Sequence, residues 1–300
     1  MSVENKCTKE DIMDFDLFKS KNGFPDRVME GLGNIRVDFH EKLNYINSLR
    51  KANESHLAAG ILLILEYKES GNPLNPGEGE FFFQFIKRSD VVPQPGDLSC
   101  PGGRLDRFLD PLLSILIMSG MFPVVRGRAR VYASERGRDH FRTIRLFLAT
   151  ALRESWEEIG ISPFNISFLG ALPSYTFSPA RRTIFPVAGM VKRTFPLRLN
   201  EEVEKMVDIP VRAFFDEANF ANFIIEPPLP ERQSQDYPPA YPCLVFTDKD
   251  GHEEILWGAT YNIVMDFLHM TLGHRQPDTA GRRTISRSLH PDYMRYLNHK

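Results

Sequence analysis

The sequence predicts a soluble protein of mixed α/β or α+β class, and three observations carry that reading. Continuous apolar runs of strand length stand at residues 58–67, 81–86 and 184–191. Residues 143–159 contain no Gly or Pro and stop at Gly160, the pattern of a long helix with a glycine stop. The hydrophobic fraction is 42% and the charged fraction 25%, both ordinary for a globular chain. With 300 residues the chain can bury a sizeable core without disulfides.

The elements follow in order. Ile35, Phe39, Leu43, Ile46 and Leu49 recur at three- and four-residue spacing, so residues 34–51 read as one amphipathic helix. The runs at 58–67 and 81–86 flank a Gly/Pro/Asn-rich stretch, residues 71–79, and are expected to pair as a hairpin with a long loop. Residues 96–103 read as a loop. The helix over 143–159 comes next, with Pro163 soon after its end. Strands are expected at 166–169 and 184–191, a helix at 201–207, and a further short piece at 211–215. Residues 241–246 and 254–256 flank Asp248-Lys249-Asp250-Gly251, a hairpin turn signal. A helix over 260–272 closes the pattern, and no internal repeat is present.

Several function classes are excluded or disfavoured. Three widely spaced cysteines (Cys7, Cys100, Cys243) make neither a disulfide framework nor a compact zinc site and suit a reducing compartment. The eight histidines show no H-x-x-x-H or H-E-x-x-H spacing, and no G-x-S-x-G elbow appears. The first residues lack an apolar leader, so a secretory signal is not expected and the cytoplasm is the default expectation. The longest apolar tract, 111–125, is short and broken by Ser114, Ser119, Gly120 and Pro123, so no membrane span is expected. Net charge is −2, yet residues 104–145 carry +5 and residues 273–300 carry +4. The Arg-rich stretch lacks the aromatic interleaving of a nucleic-acid binder, so it is expected to face solvent or an anionic substrate.

The sharpest chemistry is Arg153-Glu154-Ser155-Trp156-Glu157-Glu158-Ile159-Gly160-Ile161. On a helix Glu154, Glu157 and Glu158 fall within roughly a 100° arc, where like charges repel. A hard divalent cation with oxygen ligands would relieve that repulsion; a solvated acidic face is the plainer alternative. Upstream, Cys100-Pro101-Gly102-Gly103-Arg104 is a turn at which backbone can approach a ligand closely.

Together these two features resemble the Nudix hydrolase family, whose box reads G-x5-E-x7-R-E-U-x-E-E-x-G-U with U a bulky apolar residue. Residues 153–161 match the second half, except that Ser155 fills an apolar slot. The first half starts at Gly103 and is interrupted, with 36 residues inserted before Arg153. The acid expected six residues after Gly103 falls on Leu109, and counting back eight from Arg153 gives Arg145. Asp106, Asp110, Glu135 and Asp139 are the acids left to stand in. Within the family the chain looks like the coenzyme A pyrophosphatase branch. The matching pieces are Lys87-Arg88-Ser89, Gly96 to Gly103, Leu169-Gly170-Ala171-Leu172, Tyr175-Thr176-Phe177-Ser178-Pro179, Pro186-Val187-Ala188-Gly189-Met190-Val191, Glu201-Glu202-Val203 and Ile255 to Thr260. The branch spacer, here Asp90-Val91-Val92-Pro93-Gln94-Pro95, lacks its usual basic and His residues.

The resemblance implies a Nudix α/β/α sandwich with a mixed sheet over residues 51–272. It would carry an N-terminal helical extension over 1–50, an insert at about 107–145 and a basic tail over 273–300. It implies metal-dependent hydrolysis of a nucleoside diphosphate linked to another moiety. Coenzyme A or a derivative is the leading substrate, giving 3′,5′-ADP and a phosphopantetheine. Another nucleotide, or a scaffold that binds without turnover, is the alternative. Glu154, Glu157 and Glu158 would hold Mg²⁺ or Mn²⁺, and Glu154, Glu157 and Arg153 would carry the chemistry. Arg88, Gly102, Gly103 and Arg104 would meet substrate. A small nucleotide is the expected partner, without nucleic acid or membrane, and a homodimer stays open. A mitochondrial or peroxisomal home is compatible with the branch. The apolar start of the insert is expected to pack on the sandwich or on a second subunit.

Overall fold

The computed structural model describes residues 15–71, 77–177, 181–193, 196–226 and 240–288. The expectations placed on Cys7, on Ser178 and Pro179, and on residues 289–300 of the tail lie outside these residues. The chain runs through α1 (Gly23–Asn34), α2 (Phe39–Lys51), β1 (Leu57–Glu69), β2 (Gly79–Arg88), β3 (Leu98–Ser99) and β4 (Gly102–Arg104). Three helices follow: α3 (Leu109–Met118), α4 (Gly127–Glu135) and α5 (Arg138–Ile159). Then come β5 (Ile166–Ala171), β6 (Tyr175–Phe177), β7 (Arg182–Val191), β8 (Val203–Pro210), β9 (Phe220–Glu226), β10 (Tyr241–Thr247) and β11 (Glu253–Trp257). The helix α6 (Gly258–Leu272) and β12 (Thr284–Ser288) complete it.

Strand β1 is central and buried on both faces, which is why its sequence is a continuous apolar run rather than an alternating one. It pairs antiparallel with β2, β4 joins it at residues 59–61, and β7 runs parallel along its other side. The sheet order β3-β2-β1-β7-β5, with β8 on β2 and β6 on β7, is therefore mixed. Leu63 and Leu65 point to one layer with Phe81, Phe83, Phe85 and residues of α1 and α6. Leu62 and Ile64 point to the other, with Phe147, Leu148 and Ala151 of α5 and Phe39 and Ile46 of α2. Helices on both faces of one mixed sheet make the α/β/α sandwich that was expected. A second, four-stranded sheet, β11-β10-β9-β12, packs beside α6.

Three expected elements differ. Residues 96–103, read as a loop, hold β3 and the start of β4, which pair with β2 and β1. Residues 34–51 are not one helix: α1 ends at Asn34, and α2 begins at Phe39. The break is held from outside, because Arg136 donates from Nη2 to the carbonyls of Leu32 (2.6 Å) and Gly33 (3.0 Å) and from Nη1 to that of Ile35. These carbonyls at the end of α1 gain a fixed cationic partner. Residues 201–207 are not helical either. They enter β8, which pairs antiparallel with β2, and Val203, Val207, Ile209 and Pro210 are its buried residues. The alternating apolar positions win over the helix-forming Glu and Lys between them.

The insert is three helical pieces. α3 lies along α5, while α4 packs on α1 and β5 beside the N-terminal end of α5. Arg128 pairs with Asp26 of α1 at 3.2 Å. α5 has 22 residues and is about 33 Å long at 1.5 Å per residue. The α4 arginines therefore sit at the opposite end of α5 from its glutamates and are exposed, which is the solvent-facing one of the two expected alternatives. Among the described residues, no helix is long and apolar enough to cross a membrane.

Candidate active site

Helix α5 carries the acidic residues near its C-terminal end. Its buried stripe runs through Phe147, Leu148, Ala151, Leu152, Ser155, Glu158 and Ile159. Glu158 thus falls on the core-facing side and is 4% exposed, while Glu157, one residue earlier, is exposed. Ser155 stands in the slot expected to be apolar. It is fully buried and satisfies its hydroxyl by donating to the Ala151 carbonyl at 2.6 Å. Gly160 takes a left-handed conformation, φ 72°, and ends the helix as expected.

The glycine turn lies directly against this helix. β4 pairs with residues 59–61 of β1, and the Gly102 amide donates to Glu158 Oε2 at 2.9 Å. A Cβ on Gly103 would stand 2.4 Å from the Glu154 carboxyl carbon, and one on Gly102 would stand 2.4 Å from the Gly60 carbonyl oxygen. At Gly102 only glycine allows this approach, while a side chain at Gly103 would push the Glu154 carboxylate aside. Arg104 is exposed, and its carbonyl accepts from Arg153 Nη2 at 3.0 Å.

Arg153 organises the rest. Its Nε donates to Asp110 Oδ1 at 2.8 Å, Nη2 lies 2.9 Å from Glu154 Oε1, and Nη1 lies 3.1 Å from Glu157 Oε2. Burial draws its pKa down, but the hydrogen bond to Asp110 and the Glu154 charge outweigh that and hold it above the usual arginine value. Asp110 is fully buried and also accepts from Thr150 Oγ1 and from the Asp106 amide, both at 2.8 Å. Of the four acids left to stand in for the interrupted motif, Asp110 is the one that meets Arg153. The insert therefore leaves and returns with its two flanks in contact. Asp110 lies seven residues after Gly103 where six were expected, a one-residue shift that sequence spacing alone does not resolve.

Burial raises the Glu158 pKa to about 8; the Gly102 amide opposes this, Glu154 adds to it, Arg88 opposes it and Glu202 adds to it. Glu154 is also raised, first by burial, against the pull of Arg153. Arg88 is tied through Nε to the Pro93 carbonyl at 2.7 Å, so it holds the spacer loop while its charge acts on Glu158. Glu202 was noted in sequence only as part of a motif. The turn before β8 brings its charge to bear on Glu158. Cys100 is buried with its thiol pKa pushed up by burial and by Glu158, which disqualifies it as a nucleophile at neutral pH.

The structure thus gathers Gly102, Gly103, Glu154 and Glu158, with Arg153 and Asp110 behind them and Arg88 at the edge. Glu157 is drawn aside by Arg153. Among the described residues, no three His, Cys, Asp or Glu side chains converge closely enough to hold a metal ion. An open cavity of about 400 Å³ lined by Lys21, Glu66, Tyr67, Phe81 and Lys192 lies elsewhere. It sits toward the other end of β1 from Ile61, where the glycine turn pairs, roughly 20 Å along the strand, and contains none of these residues.

No family model matches the sequence, and no curated protein matches it. Among solved structures, the chain is similar to an Ap4A hydrolase from C. elegans at 15% identity, over 51% of this chain and 80% of that one, with a TM-score of 0.30. A Nudix hydrolase from Alicyclobacillus acidocaldarius shares 14% identity over 53% of this chain and 80% of its own, with a TM-score of 0.33. The NUDIX domain of Shewanella oneidensis NrtR, complexed with ADP ribose, shares 15% identity over 54% and 77%, with a TM-score of 0.31.

Proposed function

We propose that the chain is a Nudix-type diphosphatase that hydrolyses a nucleoside diphosphate linked to another moiety. The observation that supports this most is the spatial closure of the interrupted motif. The Gly102–Gly103 turn meets Glu154 and Glu158, and Asp110 reaches across the insert to Arg153 at 2.8 Å.

The donor set fits a hard divalent cation such as Mg²⁺ or Mn²⁺. Glu154 and Glu158 are carboxylates one helical turn apart, and the charge of Glu154 helps hold the Glu158 proton on. These two would hold the ion, with Glu157 the third ligand only after release from Arg153. The ion would supply neutralisation of diphosphate charge. The chain's own residues supply the rest. Gly102 and Gly103 let the turn close directly onto the carboxylates, which sets its backbone beside the site. Arg153 fixes the Glu154 carboxylate and is a positioning residue, itself fixed by Asp110. Arg88 and Arg104 offer guanidinium groups to the phosphates. Glu157 is the solvent-accessible carboxylate of the three, suited to take a proton from a water that attacks phosphorus, while the other phosphate departs.

The finer proposal is coenzyme A or a derivative as substrate, resting on the order of motif pieces around the box. A second reading, a scaffold that binds nucleotide without turnover, draws on the ion pair between Arg153 and Glu157 and on the absence, among the described residues, of three converging ligands. A panel of coenzyme A, dinucleoside polyphosphates and sugar nucleotides, incubated with Mg²⁺ or Mn²⁺, decides between them. Turnover of one class identifies the substrate. Tight binding without turnover on the whole panel supports the scaffold.

A further inference from the structure

Helix α3 packs its Asp110, Ser114 and Ile117 side against α5 and leaves the opposite side bare. Along that bare side stand Phe108, Leu109, Leu112, Ile115, Met118 and, just beyond the helix, Met121, between 52% (Leu109) and 82% (Phe108) exposed. No charged side chain interrupts the stripe, because the helix's one charged residue, Asp110, is buried against α5. Exposed apolar patches of this extent are uncommon on a monomer and mark a contact surface.

We propose that this face of α3 is the contact between two copies of the chain, paired antiparallel across a twofold axis. The area points that way. Six large side chains exposed by half or more present on the order of 600 Å² per copy, near the ~800 Å² per partner of a standard interface. Exposed Pro111 and part-exposed Leu116 extend the patch. The shape is self-complementary as well. Phe108, the bulkiest and barest residue, lies at one end, while Gly120 at the other has no neighbour within 4 Å of where its side chain would be. An antiparallel pair centred near Ser114 seats the ring of Phe108 over Gly120 of the second copy and sets Leu112 against Leu116, as an isologous contact requires. A lipid surface suits the helix less well. Interfacial helices carry a strongly basic polar face, whereas α3 has no basic residue and its other side is occupied by α5. The first turn of α3 also carries Asp110, so the contact braces the residue that holds Arg153. The proposal stands apart from the substrate reading and is tested without turnover.

Light scattering after gel filtration at micromolar concentration should give twice the chain mass for the wild type. Leu112→Glu and Ile115→Glu should each give the single-chain mass with an unchanged far-UV spectrum, while Val131→Glu, exposed on α4, should remain double. If a glutamate variant loses its spectrum, Leu112→Ser with Ile115→Ser applies the same test more mildly. A wild type of single-chain mass, or a dimer that survives these substitutions, overturns the proposal. So does a single-chain wild type that sediments with phosphatidylserine-containing vesicles through Leu112, which would make a membrane the occupant.

Discussion

Replacing Glu158 with glutamine should stabilise the metal-free protein at alkaline pH, by an amount that follows from the burial of this carboxyl. The folded chain holds the Glu158 proton up to about pH 8, against a reference value of 4.5 for an exposed glutamate. A raised acid pKa means that the ionised form is disfavoured by folding. The contribution to stability is therefore fully present below 4.5 and is lost as pH rises through about 8. At about 1.4 kcal/mol per unit, the loss approaches about 5 kcal/mol as an upper bound. Glutamine is nearly isosteric, never ionises, and keeps an oxygen to accept from the Gly102 amide. Thermal melts of chelator-treated wild type and Glu158→Gln should coincide near pH 4 and diverge toward pH 8. At roughly 2 °C per kcal/mol for a chain this long, the variant should end several degrees higher. Mg²⁺ should raise the wild-type melting temperature at pH 8 and leave the variant nearly unmoved. Parallel melting curves across the whole range would refute the burial argument.

Asp110→Asn removes the buried partner of Arg153 and should destabilise the fold by about 3 kcal/mol, read by urea denaturation; if the chain is an enzyme, kcat should fall through the displacement of Glu154. Replacing Arg126, Arg128 and Arg130 together with Ala should leave KM unchanged at low salt, since α4 lies far from the glutamates; the surface pair with Asp26 should cost under about 1 kcal/mol. Arg136→Ala strips the carbonyls at the end of α1 of their shared donor and should cost about 1–3 kcal/mol, measured by thermal unfolding. If coenzyme A is hydrolysed, dephospho-coenzyme A should be used nearly as well, because residues 90–95 offer no basic side chain to a 3′-phosphate; a strong preference for the 3′-phosphorylated form would place that recognition elsewhere.

How much of this was legible in sequence varies with how local the cause is. The run Leu62-Leu63-Ile64-Leu65 announces a strand buried on both faces, and Gly160 announces a helix end; both are properties of a few adjacent residues. The break between α1 and α2 was not legible. The apolar spacing continues across it, and the guanidinium that holds it comes from Arg136, about a hundred residues on. The strand at β8 was obscured by Glu and Lys, whose helix preference hid the alternation of Val203, Val207 and Ile209. The candidate site was half legible. Spacing placed Glu154, Glu157 and Glu158 on one arc, but whether each faces core or solvent depends on how α5 rolls against β1. That roll buries Glu158 and exposes Glu157. Asp110 could be named only as one of four, because its role is fixed by the fold of the insert.

The account's central claim is that Glu154 and Glu158, against the Gly102–Gly103 turn, hold the cation for diphosphate hydrolysis. The most direct measurement is the Mg²⁺-dependent rate on the best diphosphate of the panel, for the wild type and for the double variant Glu154→Gln/Glu158→Gln. The account predicts wild-type turnover that requires Mg²⁺ or Mn²⁺ and a loss of at least about 100-fold in the folded variant. Wild-type rates in the variant, or turnover indifferent to chelator, would contradict it.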